Sequence, residues 1–125
     1  LSVIDARRGE VFLAAYRDEI ELLAPQPFVP GELDGILEEI ERHARIERWV
    51  ALGDGAVHYR EALTRSNVRI PDARSPLHRV SGKAICALGA DGAISDATAV
   101  LPDYCRRPDA ELALERAGEQ AGLTQ

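Results

Sequence analysis

The chain is poor in several residue types, and each shortage narrows what it can be. It has no methionine, one tryptophan, and aromatic residues make up only 5% of it, so a core built on stacked rings is excluded. Its two cysteines, Cys86 and Cys105, stand far apart with no C-x-x-C spacing, which removes the disulfide scaffold and the zinc ribbon and leaves two reduced thiols. The three histidines, His43, His58 and His78, show no H-E-x-x-H or other ligand spacing. No G-x-S-x-G elbow is present. Basic residues are the minority, 15 against 21 acidic, for a net charge of −6, so the surface as a whole is not a nucleic-acid binding face. No apolar run reaches the length of a membrane span and no secretory leader is visible. The expectation is a cytoplasmic protein with no membrane contact.

What is present is enough for one domain. The 125 residues are 46% apolar, which supplies a full hydrophobic core. The chain opens at Leu1 inside a strand and lacks methionine, so it is expected to be a piece of a longer protein. Leu1 to Asp5 reads as a strand, Ala6-Arg7-Arg8-Gly9 as a turn with Gly9 at positive φ, and Glu10 to Tyr16 as a strand covered on both faces. Glu19-Ile20-Glu21-Leu22 alternates as a half-exposed strand does. Pro25, Pro27 and Pro30 then predict a loop.

Leu33, Ile36, Leu37, Ile40 and Ala44 recur on one face of a helix, while Glu32, Glu38, Glu39 and Glu41 predict a solvated opposite face. Trp49 to Leu52 reads as a buried strand ending in Gly53-Asp54-Gly55, and Ala56 to Leu63 as a helix. Val68-Arg69-Ile70 is another short strand. Ser75-Pro76 predicts a helix start, with an apolar stripe through Leu77, Val80, Ala84, Ile85 and Leu88 and a cap at Gly89. Residues 90–108 read as loop and extended chain, and residues 109–125 as a last helix or tail. The order β-β-β-α-β-α-β-α predicts an α/β fold with a mixed five-stranded sheet of the ribonuclease H-like type, one half of the actin-like ATPase architecture, over residues 1–108.

Three places could carry chemistry. Gly53-Asp54-Gly55 sits where a strand hands over to a helix, which suits either a phosphate cradle or a plain tight turn; Asp54 would repel a phosphate without a metal. Asp5 and Asp54 end strands that neighbour each other in a ribonuclease H-like sheet, so they could hold magnesium, with Glu10, Asp91 or Asp96 as further ligands. Asp5 could equally bond Arg7 or turn amides. Arg7, Arg8, Arg106 and Arg107 would form a basic patch beside Tyr104 if the two ends of the chain meet, fit for an RNA backbone or an acidic partner. Arg60, Arg65, Arg69, Arg74, Arg79 and Lys83 concentrate positive charge in the second half, an asymmetry compatible with protein–protein contact.

Three segments in order carry a resemblance. Asp5-Ala6-Arg7-Arg8-Gly9-Glu10-Val11, Gly53-Asp54-Gly55-Ala56 and Pro102-Asp103-Tyr104-Cys105-Arg106 resemble the second half of the TsaB (YeaZ) family, with Cys105 in place of a leucine. These are glycoprotease-like proteins of tRNA threonylcarbamoyladenosine synthesis. The resemblance implies a non-catalytic accessory subunit with no cofactor, catalytic residue or metal of its own. It implies a TsaD-type catalytic subunit as partner, contacted mainly through the family's first half, and tRNA reached indirectly. Asp5, Arg7, Arg8, Asp54, Tyr104, Arg106 and Arg107 are the candidate residues for partner or RNA contact. Two other readings stand beside it: a magnesium-dependent nuclease using Asp5 and Asp54, and a dimerisation module forming a homodimer through an uncovered sheet face.

Overall fold

The computed structural model describes residues 1–90, 98, 101, 102 and 105. The chain divides into a unit at Leu1–Ser95 and a second at Asp96–Gln125. The first unit is mixed α/β. Its strands are β1 (Ser2–Arg7), β2 (Glu10–Arg17), β3 (Ile20–Phe28), β4 (Trp49–Val50) and β5 (Val68–Arg69). Its helices are α1 (Leu33–Ala44), α2 (Asp54–His58) and α3 (Gly82–Ala90). The element order is the one expected from the sequence.

β1, β2 and β3 form an antiparallel sheet in that order, and β4 and β5 pair in parallel. The two ladders meet at a parallel bridge between Ser2 and Leu52. There the Val3 amide donates to the Leu52 carbonyl at 2.8 Å and the Leu52 amide to the Leu1 carbonyl at 2.9 Å. The Gly53 turn follows Leu52 at once, which leaves β4 only two regular residues.

The β1–β2 hairpin turns through Arg8 and Gly9, at φ 58° and 81°. Left-handed geometry at both central residues matches the twist of the flanking strands. Arg7 is also left-handed, at φ 63°, where the register shifts by one residue.

β3 runs through Pro25 and Pro27 where the sequence predicts a loop. Two conditions permit this. β3 is an edge strand, so a proline needs no partner on its outer side, and the pairing with β2 shifts between Leu13 and Ala15, which puts Pro25 in a bulge.

The core lies on one face of the sheet. Val3, Val11, Leu13 and Ala15 are fully buried there against Leu33 and Leu37 of α1, with Trp49, Ala51, Ala56 and Leu63 completing the cluster. α1 packs by its apolar stripe as the spacing predicts, and α2 sits against β1. The helix predicted over residues 56–63 begins two residues earlier and ends as a 3₁₀ turn at Arg60–Leu63.

The helix predicted from Ser75-Pro76 is only a 3₁₀ turn at Pro76–His78, with the Ser75 hydroxyl accepting from the Leu77 amide. The chain then extends at Arg79, and Ser81 starts α3 by accepting from the Ala84 amide at 3.3 Å. Gly89 lies inside α3 rather than at its cap.

Candidate functional site

The parallel alignment of β1 with the β4 segment brings Asp5 and Asp54 to the same end of the sheet. Their carboxylates are engaged by the backbone. Asp54 Oδ1 accepts from the Asp5 amide at 3.0 Å. Asp5 Oδ1 accepts from the Arg7 amide at 2.8 Å, and its Oδ2 faces the Arg7 guanidinium at 3.4 Å. The Asp5 side chain is 11% exposed and that of Arg7 is 83% exposed, so the pair is anchored at the aspartate and solvated at the arginine. Such a pair contributes little by itself. Its effect is to hold the left-handed turn in which Arg7 and Arg8 project to the surface.

The glycines of Gly53-Asp54-Gly55 serve packing. A Cβ on Gly53, at φ 110°, would stand 2.1 Å from the Val3 carbonyl oxygen. One on Gly55 would stand 2.7 Å from the Ile4 carbonyl carbon. Both positions exclude any side chain because α2 begins directly against the β1 backbone. The motif resolves as a close-approach turn, and α2, at five residues, is a single short turn of helix.

His78 ties this corner to the following loop. Its Nδ1 lies 3.2 Å from the Gly53 amide and 3.1 Å from the Gly53 carbonyl, and its Nε2 lies 3.3 Å from the Pro71 carbonyl. The tautomer with its proton on Nε2 donates to Pro71 and accepts from Gly53. Nothing in the spacing of the three histidines marks His78 for this; its partners are backbone groups 7 and 25 residues away.

A second polar cluster is also invisible in the local pattern. Glu41, assigned by periodicity to the solvated face of α1, turns inward. Its Oε1 accepts from Trp49 Nε1 and from Asn67 Nδ2, both at 2.7 Å, and its Oε2 from the Arg65 guanidinium at 3.0 Å. Arg65 also reaches Asp34 Oδ1 at 2.5 Å and the Asp34 carbonyl at 2.9 Å. Donors from β4 and from the chain entering β5 thus converge on one α1 carboxylate, which fixes the helix over the two-stranded sheet. Glu38 and Glu39 are exposed, as expected.

The outer face of the antiparallel sheet is different in kind. Ile4 and Tyr16 remain 46% and 44% exposed there. With Leu52, Leu77, Val80 and Leu88 they line a groove of about 880 Å³ between the sheet and the arm formed by the Pro76–His78 turn and α3. Val80 is 82% exposed and Leu88 80%. A smaller groove, about 610 Å³, runs between β3 and α1 beside Arg17, whose guanidinium donates to the Ala44 carbonyl at 2.7 Å. The Leu1 nitrogen donates to the Val50 carbonyl at 2.8 Å.

Of the residues singled out in the sequence, Asp5, Arg7, Arg8 and Asp54 therefore share one corner. Tyr104, Arg106 and Arg107 lie outside the described residues, as do Asp91 and Asp96. Among the described residues, no three His, Cys, Asp or Glu side chains group as a metal site, and no helix is long and apolar enough to cross a membrane. No family model, no curated protein and no solved structure matches the chain.

Proposed function

We propose that this chain is a non-catalytic, partner-binding half-domain of ribonuclease H-like type, and that it serves as an accessory unit of the TsaB kind in threonylcarbamoyl transfer to tRNA. The observation that carries the non-catalytic part is the use made of the two aspartates. Asp54 accepts the Asp5 amide through Oδ1 and Asp5 accepts the Arg7 amide through Oδ1, so one oxygen of each carboxylate serves the backbone. A pair that holds a metal for phosphoryl chemistry needs its oxygens free to converge on the ion. The ribonuclease H-like reading is supported by the succession β3, β2, β1, then the β4 segment hydrogen-bonded through Leu52, then β5. The TsaB reading rests on the three sequence segments named above.

The test is reconstitution with a TsaD-type subunit, tRNA and the threonylcarbamoyl donor. The chain alone gives no transfer and its addition raises the rate of the mixture. Absence of any stimulation contradicts the accessory role. Magnesium-dependent RNA cleavage that disappears in Asp5→Asn contradicts the non-catalytic role and restores the nuclease reading.

A further inference from the structure

His78 ties the Pro76–His78 turn to the body of the fold through both of its ring nitrogens. Nδ1 stands 3.2 Å from the Gly53 amide and 3.1 Å from the Gly53 carbonyl, and Nε2 stands 3.3 Å from the Pro71 carbonyl. A ring nitrogen that carries a proton donates and cannot accept. The Pro71 carbonyl claims a proton on Nε2, so in the neutral ring Nδ1 is bare and accepts from the Gly53 amide. A second proton goes to Nδ1, which must then give up that amide. From this geometry we propose that His78 is a proton-operated latch. Neutral, it holds the Gly53 amide and fastens the turn that leads into α3 to the start of α2. Protonated, it releases the amide and weakens the fastening.

The release follows whichever way the ring moves. If the ring stays, Nδ1 turns to the Gly53 carbonyl and the Gly53 amide faces a donor. If the ring swings out, both ties are lost. The contact is part-buried, and a part-buried amide without an acceptor is costly. The charges around the ring come from several elements. Arg60, in the 3₁₀ turn after α2, donates to the same Pro71 carbonyl at 3.1 Å, so an imidazolium would share its acceptor with a guanidinium. Arg79 is the next residue and lines the same groove, and Arg74 lies exposed in the same loop. Asp54 of α2 and Asp72 beside Pro71 favour the cation, though each accepts a backbone amide through Oδ1, from Asp5 and Arg74. β2 contributes the Tyr16 phenol to the groove. The bond to the Gly53 carbonyl replaces the one to the amide, while the orphaned amide and the Arg60 charge have no counterpart in the neutral state. The tie is therefore complete with the ring neutral and fails as pH falls through the His78 titration. Histidine is the side chain that changes charge near neutral pH. The latch does not depend on any role in transfer to tRNA.

The experiment is an NMR titration of the isotope-labelled intact chain between about pH 8 and pH 5, following the three histidine rings and the Gly53 amide. The Gly53 amide resonance is expected to move with the His78 ring, and the neutral ring to show the tautomer protonated on Nε2. The amides of His78 and Arg79 donate to the Ser75 and Pro76 carbonyls in the turn. Corrected for the intrinsic pH dependence of exchange, they and the Gly53 amide are expected to open about tenfold more at the acid end, the size of one part-buried hydrogen bond, with β2 amides unchanged. H58N leaves this pattern intact. H78N, whose side-chain oxygen can stand in for Nδ1, keeps the Gly53 amide bonded and removes its pH dependence. A Gly53 amide that does not titrate, or that still titrates in H78N, overturns the proposal. So does a neutral ring protonated on Nδ1, or protection of the His78 and Arg79 amides that holds or rises in acid. The titration of the parent chain decides the matter even if H78N fails to fold.

Discussion

Neighbouring residues of the same two strands differ sharply in burial. Val3, Val11, Leu13 and Ala15 are fully buried on the inner face, while Ile4 and Tyr16, one residue away in each strand, stay nearly half exposed on the outer face. The inner face is closed by a helix with a regular apolar stripe and by two glycines that press α2 onto the β1 backbone. The outer face is bordered by an arm held by His78 and by the hydroxyls of Ser75 and Ser81. Stability is concentrated where the strands meet α1 and α2. The outer face is closed only in part: Ala14 is 4% exposed there while Ile4 and Tyr16 stay open. A period-2 strand permits this division, because covering one face says nothing about the other.

The division can be broken from the inner side first. Gly53→Ala places a methyl carbon 2.1 Å from the Val3 carbonyl oxygen, far inside van der Waals contact, at a left-handed backbone position, and no rotation of the new side chain relieves it. A loss of about 3–5 kcal/mol is expected from the sum of strain and overpacking, read from the urea midpoint. A smaller loss follows from Glu41→Ala, which removes the shared acceptor of Trp49, Arg65 and Asn67. Those donors are part-buried and water reaches Arg65 in part, so the expected cost is about 1–3 kcal/mol; a midpoint indistinguishable from the parent would mean that α1 is held by its apolar stripe alone. The smallest effect belongs to the outer face. Leu88→Asp is expected to change stability by less than about 0.5 kcal/mol, and a marked loss of melting temperature would show that the arm belongs to the core.

The sequence foretold the parts of this fold that follow from periodicity. The α1 stripe, the hairpin turn at Gly9 and the succession of elements are all local in origin. Other features depend on groups far away in the chain. Pro25 and Pro27 predict a loop by composition, and only the bulge and the edge position of β3 make them compatible with a strand. Glu41 looks identical to Glu38 and Glu39 along the helix; its inward turn is set by donors 8 to 26 residues later. Gly53-Asp54-Gly55 has the outline of a phosphate turn, and the nearness of the β1 backbone is what decides that its glycines serve packing. The order of strands suggests that Asp5 and Asp54 lie near each other, and the Asp54 carboxylate meets the Asp5 amide. Their purpose was not legible, because it depends on which atom each carboxylate accepts from. The basic, apolar arm was legible as two separate facts, a charge asymmetry and an apolar stripe. The exposure of that stripe is what joins them.

Amide hydrogen exchange of the chain without partners tests the division of labour most directly. Amides of β2 and α1 are expected to exchange only through global opening, and those of α3 through local opening on the order of a thousandfold faster. Equal protection of α3 and β2 would contradict the account, since it would make the outer arm part of the same cooperative core.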